Sequence, residues 1–192
     1  MATYLPLFKW LAIKQYEMSA PRIIAGSARG LRLKSLPGKD TRPITDRVKE
    51  NLFNIIRDFI PNSHFLDLFG GIGSVGIEAL SRGASFCQFI ENNPSAVRII
   101  QENLSFTRLT QFSNVKQVDA FIFLKNQIEE KFDFIYIAPP QYKGLWEKAL
   151  YLVDQLSGAI MSDLGWVIIQ IDPVEETVMD LKNLVLFDRR RY

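Results

Sequence analysis

The chain reads as an α/β protein of Rossmann-like type, with a mostly parallel sheet covered on both faces. Three observations predict this. Apolar runs alternate with amphipathic segments from residue 64 onward. A glycine-rich turn, Gly70-Gly71-Ile72-Gly73, joins the first run to a helix. An acidic residue ends or follows each of the first three runs: Asp67, Glu91 and Asp119. Strands separated by helices pair in parallel, and such sheets bind ligands beyond the carboxyl ends of their strands.

The periodicity predicts strands at 64–68, 86–90, 114–118, 132–137 and 166–171, and a final apolar run at 184–187. It predicts helices at 74–82, 95–106, 120–129 and 145–163, with Ser157-Gly158 as a break point in the last. Upstream, Thr45 caps a helix within 45–60, where Val48, Leu52, Ile55, Ile56 and Phe59 form one apolar stripe; Pro61 and Asn62 end it. Residues 21–40 alternate loosely around Gly26, Gly30, Pro37 and Gly38, the pattern of a small β-hairpin. Residues 1–20 read as an extension ahead of a single domain, 21–192, whose Rossmann-like core is 64–192. Their apolar stretch is interrupted by Lys9 and lacks the basic flank and cleavage pattern of a signal peptide.

Composition narrows the function. The 192 residues are 47% hydrophobic and contain no run long enough to span a membrane. Cys87 is the only cysteine, which excludes an internal disulfide framework, fits a reducing compartment and reads as a core residue. His64 is the only histidine, a loop residue ahead of the first strand, and no metal site is expected. The cytoplasm is the expected location, or an organelle if the extension is a transit segment. Residues 18–50 carry eight basic side chains against Asp40, Asp46 and Glu50, while the rest of the chain after residue 50 is acidic. A basic arm on an acidic body suits a polyanionic partner, and Arg22, Arg29, Arg32, Lys34 and Arg47 are the candidate contacts.

The glycine turn alone matches a dinucleotide fingerprint, but Asp67 at the strand end would repel a pyrophosphate. It would attract an amino group or a sulfonium, which points to S-adenosylmethionine. Glu91, about twenty residues beyond the glycines, is placed to accept from ribose hydroxyls. Asn92 or Asn93 ahead of Pro94 supplies the following helix cap and leaves Glu91 available. Asp119 suits an adenine amino group or a helix cap equally well. After the fourth strand, Pro139-Pro140 makes a rigid turn whose carbonyls can face a planar amine.

The blocks Arg22-Ile23-Ile24-Ala25-Gly26 with Arg29-Gly30, and Thr41-Arg42-Pro43-Ile44-Thr45-Asp46-Arg47-Val48-Lys49-Glu50-Asn51-Leu52-Phe53-Asn54, carry a resemblance. So does Asp67-Leu68-Phe69-Gly70-Gly71-Ile72-Gly73 with Ile77-Glu78-Ala79-Leu80-Ser81-Arg82-Gly83-Ala84. Together they resemble the bacterial 16S ribosomal RNA guanine-N2 methyltransferase family, closely over residues 20–145 and more loosely to the end. The resemblance implies a seven-stranded class I methyltransferase, acting as a monomer on 16S ribosomal RNA or an assembling small subunit and producing N2-methylguanine. It implies that Asp67, Gly70, Gly71 and Gly73 hold the methionine end of S-adenosylmethionine, Glu91 the ribose, and Asp119 with Ala120 the adenine. Phe69 and Asn92 complete that set, and Thr41, Arg42 and Thr45 close the pocket. Ala138, Pro139, Pro140, Gln141 and Tyr142 form the reaction centre, with Tyr142 stacking on a flipped-out guanine.

Two departures stand out. The family pattern at the fourth strand is Asp-Pro-Pro followed by an aromatic residue, whereas here Ala138 replaces the acid and the aromatic is displaced to Tyr142; Gln141 offers a substitute amide oxygen. Relatives also continue past a basic-Tyr-Gly step into a closing antiparallel strand, so 184–187 is expected as an exposed edge. Three other readings compete: a nicotinamide oxidoreductase, an amine methyltransferase acting on DNA or protein, and a non-catalytic RNA-binding relative.

Overall fold

Seven strands form one sheet in the order β4-β3-β2-β5-β6-β1-β7, and every strand pair in it is parallel. The structure, a computed structural model, describes residues 8–13, 21–36 and 44–191. The strands are β1 (Phe8–Ile13), β2 (His64–Asp67), β3 (Phe86–Glu91), β4 (Ser113–Gln117), β5 (Phe132–Ile137), β6 (Met161–Gln170) and β7 (Leu184–Arg189). The helices are α1 (Asp46–Ile55), α2 (Ser74–Ser81), α3 (Pro94–Thr107), α4 (Ala120–Lys125) and α5 (Leu145–Ile160). Strand order reverses between β2 and β5, so the crevice outside their carboxyl ends is the expected ligand position.

Local chemistry sets the helix starts. The Thr45 hydroxyl accepts from the Val48 amide and caps α1, Asn93 caps α3 ahead of Pro94, and the Asp119 carboxylate caps α4. Helix α5 runs unbroken through Gly158. Its buried stripe of Trp146, Leu150, Val153 and Ile160 continues past that glycine, and this packing outweighs the roughly 1 kcal/mol a helical glycine costs. Strand β6 begins earlier than the periodicity predicts. Phe132 pairs with Met161 but Phe134 pairs with Trp166, so residues 162–165 bulge opposite Asp133.

Alternation along the strands divides the core between two faces. Phe65, Phe89, Phe134, Tyr136 and Ile168 pack toward α1, α2 and α3. Leu66, Ile90, Ile135, Ile137, Val167 and Ile169 pack toward α4 and α5. Helix α2 lies hard against β3 at Gly76, where a Cβ would overlap the Phe89 ring and stand 2.6 Å from Cys87 Sγ. Cys87 is fully buried, and burial, reinforced by the Asp67 charge, pushes its thiol well above the usual range. No helix among the described residues is long and apolar enough to cross a membrane.

Two sequence expectations change here. Residues 8–13, expected in an extension outside the domain, form strand β1 within the sheet; this run is rich in β-forming residues and pairs with both β6 and β7. Strand β7, parallel to β1, is the edge on that side. The expected hairpin is present in short form within residues 21–36: Arg22 bridges Arg32 antiparallel, and the Ile23, Gly30 and Leu33 amides donate to the Leu31, Ile23 and Pro21 carbonyls. At its turn the Ile24, Ala25 and Ala28 amides donate to the side chains of Glu78 and Ser81 on α2. Phe59 leaves the α1 stripe because the helix ends at Ile55 and tightens into a 3₁₀ turn; its half-exposed ring rests on Trp166, 5.4 Å between centroids.

Candidate active site

A cleft of about 790 Å³ opens at the carboxyl ends of β2, β3 and β5. Asp67, Glu91, Asp119, Tyr136, Ala138 and Gln170 are among its walls, with Ile44, Ser35 and Leu36 closing one side. The three acidic strand ends therefore converge on one cavity, as the alternating pattern requires.

Asp67 is the most constrained of them. It is buried at the end of β2, and its Oδ2 accepts from the Gly76 amide at 3.2 Å. Its Oδ1 has no hydrogen-bond partner among the described residues. Desolvation raises its pKa to about 7, against the Gly76 hydrogen bond and with a smaller push from Glu91. A buried carboxylate oxygen left unpaired in a cleft is costly alone and is matched by a cationic or hydrogen-bond-donating ligand. This is the observation by which the site fits a ligand bearing an ammonium or sulfonium.

Glu91 is held rigidly. Its Oε2 accepts from the Gly71 amide and its Oε1 from the Asn93 amide, both at 2.8 Å, so the carboxylate ties the glycine turn to the start of α3. Each oxygen retains a second lone pair for a ligand hydroxyl. The Asn93 side chain caps α3 through the Ser95 and Ala96 amides, and exposed Asn92 lines the cleft beside it. Asp119 uses Oδ1 for the Phe121 and Ile122 amides, so the capping role is realised; Oδ2 makes no hydrogen bond among the described residues. Ala120 and Phe69 line the same end, where the Phe69 ring meets Phe121 edge-on at 6.2 Å. The Lys148 ammonium covers the Phe121 ring at 4.1 Å. Gly70, Gly71, Ile72 and Ser74 line the cleft, while Gly73 sits at the α2 N-cap.

The turn after β5 brings Ala138, Pro139, Pro140, Gln141 and Tyr142 to the cleft. Pro139 is buried and Pro140 exposed. The exposed Tyr142, at a left-handed φ of 61°, donates its hydroxyl to Asp172 Oδ2 at 3.0 Å and its amide to Glu175 Oε1 at 2.6 Å. It thus anchors this turn to the segment after β6. Two residues escaped the sequence reading: Tyr136 and Gln170, whose side chains hydrogen-bond to each other within the buried floor. Strand alternation carried the signal, since Tyr136 shares its sheet face with Asp67 and Ala138.

The N-terminal motif blocks turn out to be a clamp. Buried Glu78 accepts from the Ile24 and Ala25 amides at 2.8 and 3.0 Å and from Arg82 Nε at 2.7 Å. Fully buried Lys49 lies 3.3 Å from Glu78 Oε2 and donates to the Arg22 carbonyl at 2.6 Å. Desolvation lowers the Lys49 pKa, opposed by Glu78 and Asp46. Ser81 donates to the Ala25 carbonyl and accepts from the Ala28 amide. Gly26, at φ +84°, passes so close to α2 that a Cβ would overlap the Ser81 carbonyl oxygen. Asn103 of α3 holds the outgoing chain through the Lys34 amide and carbonyl.

The candidate RNA contacts divide accordingly. Arg22 pairs with Asp46 at 3.4 Å and Lys34 with Glu102 at 2.8 Å. Arg29, Arg32 and Arg47 are exposed and make no ion pair among the described residues. Thr45 serves as the α1 cap and does not line the cleft, whereas its neighbour Ile44 does. Thr41 and Arg42 lie outside the described residues. Among the described residues no group of three or more His, Cys, Asp or Glu is placed to hold a metal.

Comparison with known proteins places this architecture. Residues 21–192 match the family model described as Conserved hypothetical protein 95. YlbH of Bacillus subtilis is 33% identical over 173 residues, covering 89% of this chain and 93% of that protein. Ribosomal RNA small subunit methyltransferase D of Haemophilus influenzae is 38% identical over 134 residues, 69% of each chain. The solved structure of hypothetical protein TTHA0928 from Thermus thermophilus superposes with a TM-score of 0.63 at 34% identity, over 73% of this chain and 80% of that one. The chain therefore belongs to the Conserved hypothetical protein 95 family, as a relative of the ribosomal RNA small subunit methyltransferases D.

Proposed function

We propose that the protein transfers a methyl group from S-adenosylmethionine to the exocyclic N2 amine of a guanine in small-subunit ribosomal RNA. The observation that carries this reading is buried Asp67, its Oδ1 without a hydrogen-bond partner among the described residues, in a cleft shared with Glu91 and Asp119. The names of the curated relatives support the RNA substrate. When bound, S-adenosylmethionine supplies a methyl carbon on a sulfonium, which the amine nitrogen attacks as the carbon–sulfur bond breaks. Asp67 would receive its cationic methionine end, Glu91 the ribose hydroxyls, and Asp119 Oδ2 with the Ala120 backbone the adenine. The Pro139 carbonyl would accept from the entering base, and the rigid Pro139-Pro140 turn would limit how the base can lie. Catalysis of this kind is largely positioning, and fixed geometry can be worth several kcal/mol. The amine proton is lost to water after transfer. Exposed Arg29, Arg32 and Arg47 lie on the clamped loop and α1, a rigid basic surface for the RNA phosphates.

Calorimetry with S-adenosylmethionine and with NAD, followed by transfer of labelled methyl to small-subunit particles and naked RNA, tests the reading. Cofactor binding, transfer, and N2-methylguanine in the digested RNA are the expected results. Binding of NAD alone would overturn it. Ala138 favours one second reading, a relative that binds RNA without turnover; tight cofactor binding with no transfer to either substrate would establish that instead.

A further inference from the structure

Three neighbouring strands send polar side chains to the same sheet face at the reaction end of the cleft. Asp67 of β2 stands in register with Tyr136 of β5, and Ile137 pairs with Ile169 of β6, which puts Ala138 beside Gln170. The row occupied by Ala138 and Gln170 lacks a carboxylate. Tyr136, buried and lining the cleft, leans along the strand and donates its hydroxyl proton to Gln170 Oε1. A phenol hydroxyl whose proton is committed presents only lone pairs on its other side. Burial, helped by the Asp67 charge, pushes the Tyr136 pKa well above its ordinary value, so the oxygen stays a neutral acceptor and does not become a base.

We infer that the Tyr136 hydroxyl oxygen is the acceptor for the N–H of the target amine in place of an acid at position 138, and that Gln170 is the positioning residue that keeps its proton turned away. The inference rests on the methyltransferase reading above. It names a substrate class at this end of the cleft: a planar amine with a donor left over, such as the N2 group of guanine, and not a carbonyl edge. The competing acceptor, Gln141, sits on the partly exposed turn after the prolines, whereas Tyr136 is fixed by the sheet.

The test uses the full chain and the RNA position found to be methylated, prepared with guanine or with inosine, which lacks the N2 amine. In the presence of S-adenosylhomocysteine the wild type should bind the guanine RNA several-fold more tightly than the inosine RNA. Tyr136→Phe should abolish that preference and lower kcat roughly 10²-fold, with the affinity for S-adenosylhomocysteine unchanged. Gln170→Met should lower kcat about tenfold without changing the cofactor KM, and Gln170→Glu, which keeps an acceptor for the tyrosine proton, should recover most of that loss. Wild-type kcat and an intact guanine preference in Tyr136→Phe would overturn the inference and leave the methyltransferase reading standing. A larger loss in Gln141→Ala than in Tyr136→Phe would move the acceptor to the turn and overturn it equally. Cofactor binding by the wild type with no transfer to any RNA would overturn both.

Discussion

Two buried carboxylates, fewer than a dozen residues apart in the chain, are treated in opposite ways. Glu78 on α2 has both oxygens filled by two backbone amides, Arg82 and Lys49, in a cluster that bolts the 22–34 loop to the domain. Asp67, at the end of β2, has one oxygen filled by Gly76 and the other without a partner among the described residues. Buried charge that is completely satisfied serves the fold, and buried charge that is half satisfied marks where a ligand completes it. The same distinction separates the two ends of the sequence motif blocks: one holds a loop in place, the other faces the cleft.

The largest effect should come from breaking the satisfied cluster. Glu78→Ala strands two amides, a guanidinium and a buried ammonium together, and should cost about 3–5 kcal/mol in urea unfolding. Lys49→Met should cost less, because Glu78 keeps three of its four partners. A loss under ~1 kcal/mol for Glu78→Ala would mean the cluster is solvated and that the comparison with Asp67 fails.

Asp67 should behave with the opposite sign. Its folded pKa, about 7, lies above the ordinary 3.8, so ionising it in the folded protein is penalised. Stability relative to Asp67→Asn should be equal near pH 4, fall as pH rises through the window from 4 to 7, and stay flat above. At pH 8 the ligand-free Asp67→Asn protein should be the more stable one, by up to ~4 kcal/mol, while losing cofactor binding. In the wild type, affinity for S-adenosylmethionine should rise about tenfold per pH unit below 7 and level off above it, because a cationic ligand selects the carboxylate. A pH-independent affinity between 5.5 and 8 would remove Asp67 from the site.

Asp154 offers an intermediate case. Buried on α5, it accepts from the Lys182, Asn183 and Leu184 amides and so sets the turn that launches β7. Asp154→Ala should cost about 2–3 kcal/mol. Hydrogen exchange should accelerate first at 182–189, with the cleft untouched; uniform acceleration across β2 and β5 would show that β7 is not a separate unit.

The alternation of strands and helices, the strand-end acids and the double proline were legible because each is a local pattern with its own mechanism. Asp67, Glu91 and Asp119 each end a hydrophobic run, and parallel pairing alone brings those ends together. What stayed hidden needed the third dimension. The 22–34 hairpin was legible from its composition, yet the amides of its turn find Glu78 and Ser81 more than fifty residues away, a pairing no local pattern encodes. Phe8–Ile13 reads as an appendage until a sheet is present with room between β6 and β7. Tyr136 looks like one more apolar strand residue, and only its bond to Gln170 reveals the polar floor. Asp119 was legible to the level of two roles; its Oδ1 takes the helix cap, and its Oδ2 makes no hydrogen bond among the described residues.

The smallest effect on stability, and the sharpest contrast with buried charge, belongs to the exposed cations that make no ion pair among the described residues. Arg29, Arg32 and Arg47 are exposed, so replacing any of them with Gln breaks no ion pair among the described residues and should move unfolding by less than ~0.5 kcal/mol. Their consequence should appear only against RNA. Each arginine that neutralises a phosphate releases condensed counterions, so each substitution should flatten the plot of log affinity against log salt by roughly 0.7–0.9. Lys34, already paired with Glu102, should contribute less than any of the three, since it must give up one partner to gain another. Filter binding of small-subunit RNA between 50 and 200 mM salt makes the comparison. An unchanged slope in the Arg29→Gln, Arg32→Gln double variant would move the RNA surface off the clamped loop. The Glu78 cluster would then have to be explained by stability alone, because the rigidity it gives the loop would have no phosphates to align.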